Sequence, residues 1–388
     1  MSVQLNEICE LIVDCPHSTA ADEGAGYPLI RTPNIGPGYF NLEGVHRISK
    51  AAYDKRNLRA IPRPNDLILA REAPAGNVAI IPDGAEFCLG QRTVLIRPDA
   101  SKVYPLFLNY YLNAPEQRHK LLRNANGATV SHVNMPIIRN LSVDLPPVEA
   151  QKRIASILGA YDTLIENNRK QIKLLEEAAQ RLYKEWLIDL RFPGHENVEI
   201  DPDTELPEGW RSELLIENAT VQYGYSFDAT FFNSSGAGTP IIRIRNVQDG
   251  FSNDFTTEEF PSKYQVRNGD LLVGMDSEFY INTWVGGDAA LVQRSCRIKP
   301  GDSINEGYLK CALKPQLVAL QNGIVGATVA HLGKKHIDAM RITIPDDSLM
   351  EIFAQIERRS LLLRHVCRWA SEARDRLLPR LMEGEVML

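Results

Sequence analysis

GATVSH, residues 127–132, is written again as GATVAH at residues 326–331, an offset of 199. Three readings compete for such a phrase: chance, a catalytic loop used twice, or the trace of a duplicated domain. Order separates them, because a duplication repeats its landmarks in sequence and chance does not. PLIRTPNI (28–35) answers PIIRIRNV (240–247), PNDLILA (64–70) answers NGDLLVG (268–274), and SVDLPP (142–147) answers ITIPDD (342–347). Every pair keeps its order, so the chain reads as two copies of one domain. The second copy restarts at LPEGW (206–210), after RFPGHENVEIDPDTELP (191–207), the strongest linker signal in the sequence.

Within the copies, DLILA, NVAIIP and TVLIRP, and then DLLVG, AALVQ and RITIP, are short aliphatic and β-branched runs bounded by Gly, Pro, Asn or Asp, the pattern of strands. YPLFLNYYLNAPEQRHKLLRN (104–124) and EGYLKCALKPQLVALQ (306–321) read as helical, the second interrupted near Pro315. Each copy is therefore α+β, and each ends in a long helical pattern. In the first pattern Ile154, Leu158, Tyr161, Ile165, Asn168, Ile172, Leu175, Ala179, Leu182 and Trp186 recur in alternating steps of four and three, a coiled-coil register. The positions 195 further on, Leu349, Phe353, Ile356, Ser360, Leu363, Cys367, Ala370, Arg374, Leu377 and Leu381, keep it, with polar breaks at Ser360 and Arg374. The fall in offset from 199 to 195 implies a difference of four residues between the copies, close to one helical turn. A seam this narrow suits helix-to-helix pairing better than packing on a sheet. The expected architecture is two heads, residues 1–148 and 206–347, with long paired helices at 149–190 and 349–384 and a linker at 191–205.

A chain of 388 residues with 44% hydrophobic and 24% charged residues can bury a core in each copy. No apolar run approaches a membrane span, and MSVQLNEICELIVDC carries acidic residues where a signal peptide would be basic, so a cytoplasmic protein without membrane contact is expected. Six cysteines, scattered singly, are expected to be free thiols. The net charge of −6 argues at first against a nucleic-acid partner. Residues 201–348, with 20 acidic against 13 basic side chains, hold the excess, and a net charge does not exclude a basic face.

Catalytic motifs do not stand out. GATVAHLGKK has six residues between Gly326 and Gly333, where a phosphate-binding P-loop has four, and no Ser or Thr follows Lys334. PPV (146–148) follows Leu145 and lacks the Asn or Asp that an adenine methyltransferase sets before Pro-Pro; nor does a Gly-rich loop for S-adenosylmethionine or a dinucleotide follow a strand. His132 and His331 invite a metal or acid–base reading, but His336, five residues beyond His331, has no counterpart near His132. A turn histidine that bonds backbone, or one that meets DNA, requires no metal. No catalytic, cofactor-binding or metal-binding residue is assigned.

Binding chemistry is better represented. HRISKAAYDKRNLR (46–59) supplies Arg47, Lys50, Lys55, Arg56 and Arg59, and GQRTVLIR (90–97) supplies Arg92. In the second copy IRIRN supplies Arg243, Arg245 and Asn246, SKYQVR supplies Lys263, Gln265 and Arg267, and GKKH supplies Lys334 and Lys335. Lys and Arg neutralise phosphates, while Arg, Asn and Gln can read base edges with paired hydrogen bonds. Together with His132 and His331 these are the candidate DNA-binding residues.

The ordered set of the two GATV-H phrases, LPPVEAQKRIASILGAYDTLIENNRKQIKLLEEAAQRLYKEWL (145–187), LPEGW, and RLLPRLMEGEV (376–386) resembles the specificity subunit of type I restriction-modification systems, across essentially the whole chain. The resemblance implies two target-recognition domains that each read half of a bipartite double-stranded DNA site, and two helices paired as an antiparallel coiled coil between them. It implies a non-catalytic subunit that carries two methyltransferase subunits, where S-adenosylmethionine is used, and restriction or motor subunits. IPDD in place of LPPV and the broken second seam are departures from the family pattern. A structural adaptor whose heads bind proteins is the alternative.

Overall fold

The computed structural model describes residues 2–123, 132–323 and 330–385. Both GATV tetrapeptides and Ser131 therefore lie outside the described residues, while His132, Ala330 and His331 lie within them. The chain divides into two compact units, Met1–Thr163 with Ala370–Leu388, and Leu164–Trp369. The division runs through both long helices, so each unit combines one head with a stretch of each helix.

In the first unit a four-stranded antiparallel sheet has the order Cys9–Asp14, Thr93–Pro98, Leu67–Ala70, Val78–Ile80. A smaller sheet pairs Tyr27–Ile30 antiparallel with Arg47–Ile48 and parallel with Cys88–Leu89. In the second unit the order is Ala219–Tyr223, Ser295–Pro300, Leu271–Gly274, Ile281–Thr283, beside a sheet in which Thr239–Ile242 runs parallel to Ala289–Leu291. The registers correspond: Leu67 opposes Ile96 and Ala70 opposes Thr93, as Leu271 opposes Ile298 and Gly274 opposes Ser295. A third pairing recurs as well, Ser2–Gln4 with Ser142–Asp144 and Arg211–Leu214 with Arg341–Ile344. Shared strand order and register make the two heads copies of one fold.

The central strands read as continuous apolar runs because both faces of the sheet are covered. Leu67, Leu69, Val94 and Ile96 point to a core with Phe107, Leu108, Ile154, Leu158 and Leu381, whereas Ile68 and Leu95 point to one with Ile30 and Leu89. The second unit repeats the scheme: Leu271, Val273, Cys296 and Ile298 join Tyr308, Tyr183 and Phe353, and Leu272 joins Ile242, Val266 and Trp284.

The first long helix, Val148–Tyr183, ends in a wider π turn at Lys184–Ile188; the second spans Asp347–Met382. Within the second unit Cys367 Sγ lies 3.7 Å from the Ile165 carbonyl, Arg364 Nη2 is 2.5 Å from Glu176 Oε1, and the Tyr183 and Phe353 rings are 6.4 Å apart. Rising numbers on one helix meet falling numbers on the other, so the pair is antiparallel. Within the first unit Arg374 Nη1 reaches Asp162 Oδ1 at 2.5 Å, and Leu381 packs with Ile154 and Leu158. Of the seam, Ile154, Leu158, Ile165, Asn168, Ile172, Ala179, Leu349, Phe353, Ser360, Leu363, Ala370 and Leu381 are buried. Tyr161, Leu175, Leu182, Trp186, Ile356, Cys367, Arg374 and Leu377 are half-buried.

Three sequence expectations are corrected. Pro315 does not interrupt its helix, which runs through from Glu306 to Gly323; the Gln316 side chain donates to the Ala312 carbonyl at 3.0 Å, capping backbone in the turn that proline disturbs. The 104–124 segment instead breaks into Pro105–Asn113 and Pro115–Arg123, because Ala114 before Pro115 is extended. The offset stays at 199 at the helix starts, Val148 and Asp347, where Gln151 Oε1 accepts from the Tyr104 amide and the Met350 carbonyl accepts from Asn305. Seam steps alternate four and three, so a slide of four residues still places every second position on the seam, and the sequence pattern alone did not fix the offset.

Candidate nucleic-acid interface

The histidines that follow the GATV phrases sit in matched polar clusters, built by the same strand ends in each head. In the first, the Arg71 amide donates to the Arg92 carbonyl at 2.9 Å and the Val133 amide donates to the Arg71 carbonyl at 3.1 Å. In the second, the Met275 amide donates to the Arg294 carbonyl at 2.9 Å and the Leu332 amide to the Met275 carbonyl at 2.7 Å. This lattice of backbone bonds places an arginine, an acid and a histidine side by side. Glu72 holds His132 Nδ1 at 2.6 Å and is ion-paired with Arg92 Nη1; Asp276 holds His331 Nδ1 at 2.5 Å and Arg294 Nη1 at 2.5 Å. Arg92 and Arg294 both adopt left-handed backbone, with φ of 65° and 67°.

Electrostatics fixes part of the proton inventory. Burial works against ionisation of Asp276, but hydrogen bonds from His331 and Arg294 outweigh it and hold the carboxyl below its ordinary range. Arg71 Nη2 lies 2.8 Å from His132 Nε2, and a guanidinium can only donate, so Nε2 accepts and Nδ1–H donates to Glu72. Met275 occupies the place of Arg71 in the second head, and among the described residues no arginine donates to His331 Nε2.

The other first-head candidates converge in part on this cluster. Arg59 Nη1 donates to the Asp14 and Cys15 carbonyls at 3.3 and 3.4 Å, beside the Arg71–Asp14 ion pair of 2.7 Å. Arg56 is a correction: it is buried, its guanidinium donating to the Leu89 and Ser18 carbonyls, so it fixes the loop rather than meeting solvent. Arg47, Lys50 and Lys55 are exposed around the small sheet, with Lys50 paired to Asp54 at 2.5 Å and lying over the Tyr53 ring.

In the second head Arg245, Lys263, Arg267, Lys334 and Lys335 are exposed. Arg245 pairs with Asp254, Lys334 pairs with Asp338 at 2.7 Å, and Gln265 donates to Asp288 at 3.1 Å. Arg243 is half-buried, stacked 4.7 Å from the centre of the Phe232 ring. Asn246 is the second correction. It is buried, and its Oδ1 accepts from the Arg243 amide at 3.0 Å as Asn34 Oδ1 accepts from the Arg31 amide at 3.1 Å. The repeated Arg-x-x-Asn is thus a turn cap that both copies require, and Asn246 is not free to read a base.

The sequence reading named Arg92, His132 and His331 but missed Glu72, Asp276 and Arg294. QRT (91–93) and QRS (293–295) were the legible signal for the arginines. Among the described residues no His, Cys, Asp and Glu cluster suits a metal ion, and no helix is long and apolar enough to cross a membrane. All six cysteines are free.

Residues 1–177 match the family described as type I restriction modification DNA specificity domain. The chain is 25% identical over 369 residues to the type I restriction enzyme MjaIX specificity subunit of Methanocaldococcus jannaschii, covering 88% of this chain and 82% of that protein. It is 29% identical over 177 residues to the EcoBI specificity subunit of Escherichia coli, covering 45% of this chain and 36% of that one. The crystal structure of a type I restriction-modification S subunit from M. genitalium has the same fold, with a TM-score of 0.57 at 14% identity, over 98% of this chain and 95% of that one. With its duplicated heads and antiparallel helices, this chain is similar along most of its length to specificity subunits of type I restriction-modification systems, and its first 177 residues match the DNA specificity domain of that family.

Proposed function

We propose that this subunit reads a bipartite double-stranded DNA site, one half with each head, and is itself non-catalytic. The recognition domains are residues 1–148 and 206–347, joined through the linker 191–205, and the helices 149–190 and 349–384 set the unread gap. It docks two methyltransferase subunits, which bind S-adenosylmethionine, and in the restriction complex the motor subunits. The observation that carries this reading is the duplication itself: two heads of one strand order, each with its own His–carboxylate–Arg cluster. Two like heads on one chain suit two half-sites at a fixed separation.

The test is to map methylated adenines in DNA from cells that express the chain with its methyltransferase partner. A split consensus with a constant gap is expected. A continuous consensus refutes the two-head reading, and salt-insensitive assembly without DNA retention favours a protein-binding adaptor instead.

A further inference from the structure

We infer that Arg92 and Arg294 are paired DNA-backbone contacts, one per head, each held ready by the acid beneath it. The inference rests on the DNA-binding reading above and assigns it a definite pair of atoms in each head.

The two arginines occupy one place in the duplicated fold. Each immediately precedes the strand residue, Thr93 or Ser295, that opposes the last residue of a central strand, Ala70 or Gly274. Each accepts a backbone bond from the residue after that strand, and each is bonded through Nη1 to the acid one position further on. Their side chains remain 55% and 65% exposed, whereas Glu72 and Asp276 are 14% and 6% exposed. A nearly buried carboxylate thus grips one nitrogen of an outward guanidinium. The Nε and Nη2 edge has no partner among the described residues, and it is the planar two-donor fork that suits phosphate oxygens.

Backbone conformation supports a role beyond packing. A left-handed φ at a residue with a Cβ costs about 1–2 kcal/mol, and glycine would fill the position without that cost. Both copies nonetheless carry arginine there. The retained feature is the side chain, in heads that have otherwise diverged widely.

Matching also separates phosphate from base. The heads read different half-sites only through residues that differ between them, and Arg92 and Arg294 are identical in type, anchor and backbone. Identical contacts carry no information that distinguishes the halves, which is the property of a backbone contact. Glu72 and Asp276 are positioning residues, fixing each guanidinium before DNA arrives.

The experiment uses the full chain assembled with its methyltransferase subunits. Dissociation constants are measured from 0.05 to 0.3 M salt on a random-sequence duplex and on one carrying the mapped methylation site, for wild type, Arg92→Gln, Arg294→Gln and the double variant. Each single variant is expected to weaken both duplexes alike, about fivefold at 0.15 M salt, and to lower the slope of log K against log salt by about 0.9, with the double variant losing twice that slope. Arg92→Lys and Arg294→Lys, which keep the charge but lose the fork, are expected to retain the salt slope with a smaller loss of affinity than the glutamine variants. Unchanged affinity and slope, or a loss confined to the cognate duplex, overturns the assignment while leaving the DNA reading standing. Failure of the wild-type complex to retain DNA at any salt overturns both.

Discussion

Lys310→Met tests the ionic cluster that fastens the second head to its helices. Lys310 Nζ lies 3.0 Å from Glu176 Oε1 and 3.5 Å from Glu357 Oε2; Glu357 also accepts from the Thr283 hydroxyl at 2.5 Å, and Glu176 from Arg364 at 2.5 Å. At an effective dielectric near 20 the two lysine attractions are each roughly 5 kcal/mol gross, most of it offset by desolvation. Methionine keeps the stem but leaves Glu357, 7% exposed, with a hydroxyl as its only hydrogen-bonding partner among the described residues. Orphaning one member of a buried pair costs about 3–5 kcal/mol, and because Glu176 keeps Arg364 the lower end, about 3 kcal/mol, is expected. For a unit of this size that is a fall in Tm of roughly 6–12 °C. Adding Glu357→Gln removes the stranded charge while keeping an acceptor for Thr283, and should recover about 2 kcal/mol. Thermal and urea unfolding, followed by fluorescence of the buried Trp284, read both variants. A Lys310→Met protein within about 0.5 kcal/mol of wild type, or a double variant no better than the single, refutes the account.

Other outcomes follow from the turn caps, the buried carboxylates and the buried thiols. Asn34→Ala and Asn246→Ala should each cost about 1 kcal/mol in unfolding experiments while leaving the methylated sequence unchanged, since each side chain caps a turn; a shifted consensus would restore Asn246 as a base reader. Glu176 and Asp276 both hold their carboxyls below the ordinary range, Glu176 because Lys310 and Arg364 outweigh the effect of burial. The unfolded chain therefore binds their protons first on acidification, so their stabilisation is complete above about pH 4–5 and is lost as pH falls further. Asp276→Asn should flatten part of that acid limb in a stability-against-pH series, and an unchanged limb counts against the cluster. Burial pushes the Cys296 and Cys311 thiols up to about 12, so alkylation at pH 8 should spare both until the protein unfolds, as peptide mapping would report.

The duplication was legible because short buried strands and a heptad seam impose periodicities that survive divergence. DLILA and DLLVG became the equivalent strands Leu67–Ala70 and Leu271–Gly274, and the seam residues line the helix pair. Side-chain roles set by distant partners were not. Arg56 looked like part of a solvated basic run until the Leu89 and Ser18 carbonyls, far away in sequence, enclosed it. Asn246 carried a repeated local motif, Arg-x-x-Asn, but only burial distinguishes a cap from a reading residue. Arg92 and Arg294 shared a local phrase, QRT and QRS, but their acids Glu72 and Asp276 arrive from another strand, a pairing that only the folded sheet discloses.

The division of the chain within its long helices also sets an order of events at the ribosome. The first unit is incomplete when Thr163 emerges, because Leu381 belongs to its core, Leu377 and Leu378 pack against it, and all three are made more than two hundred residues later. Lengthening a loop is cheap at equilibrium, each doubling adding only about 0.6 kcal/mol, but contacts so remote in sequence form slowly. The nascent first head therefore lacks the side of its core that Leu381 supplies next to Ile154 and Leu158 while the whole second head is synthesised. During translation this chain is two half-finished bodies, and the last helix made is the one that closes the first.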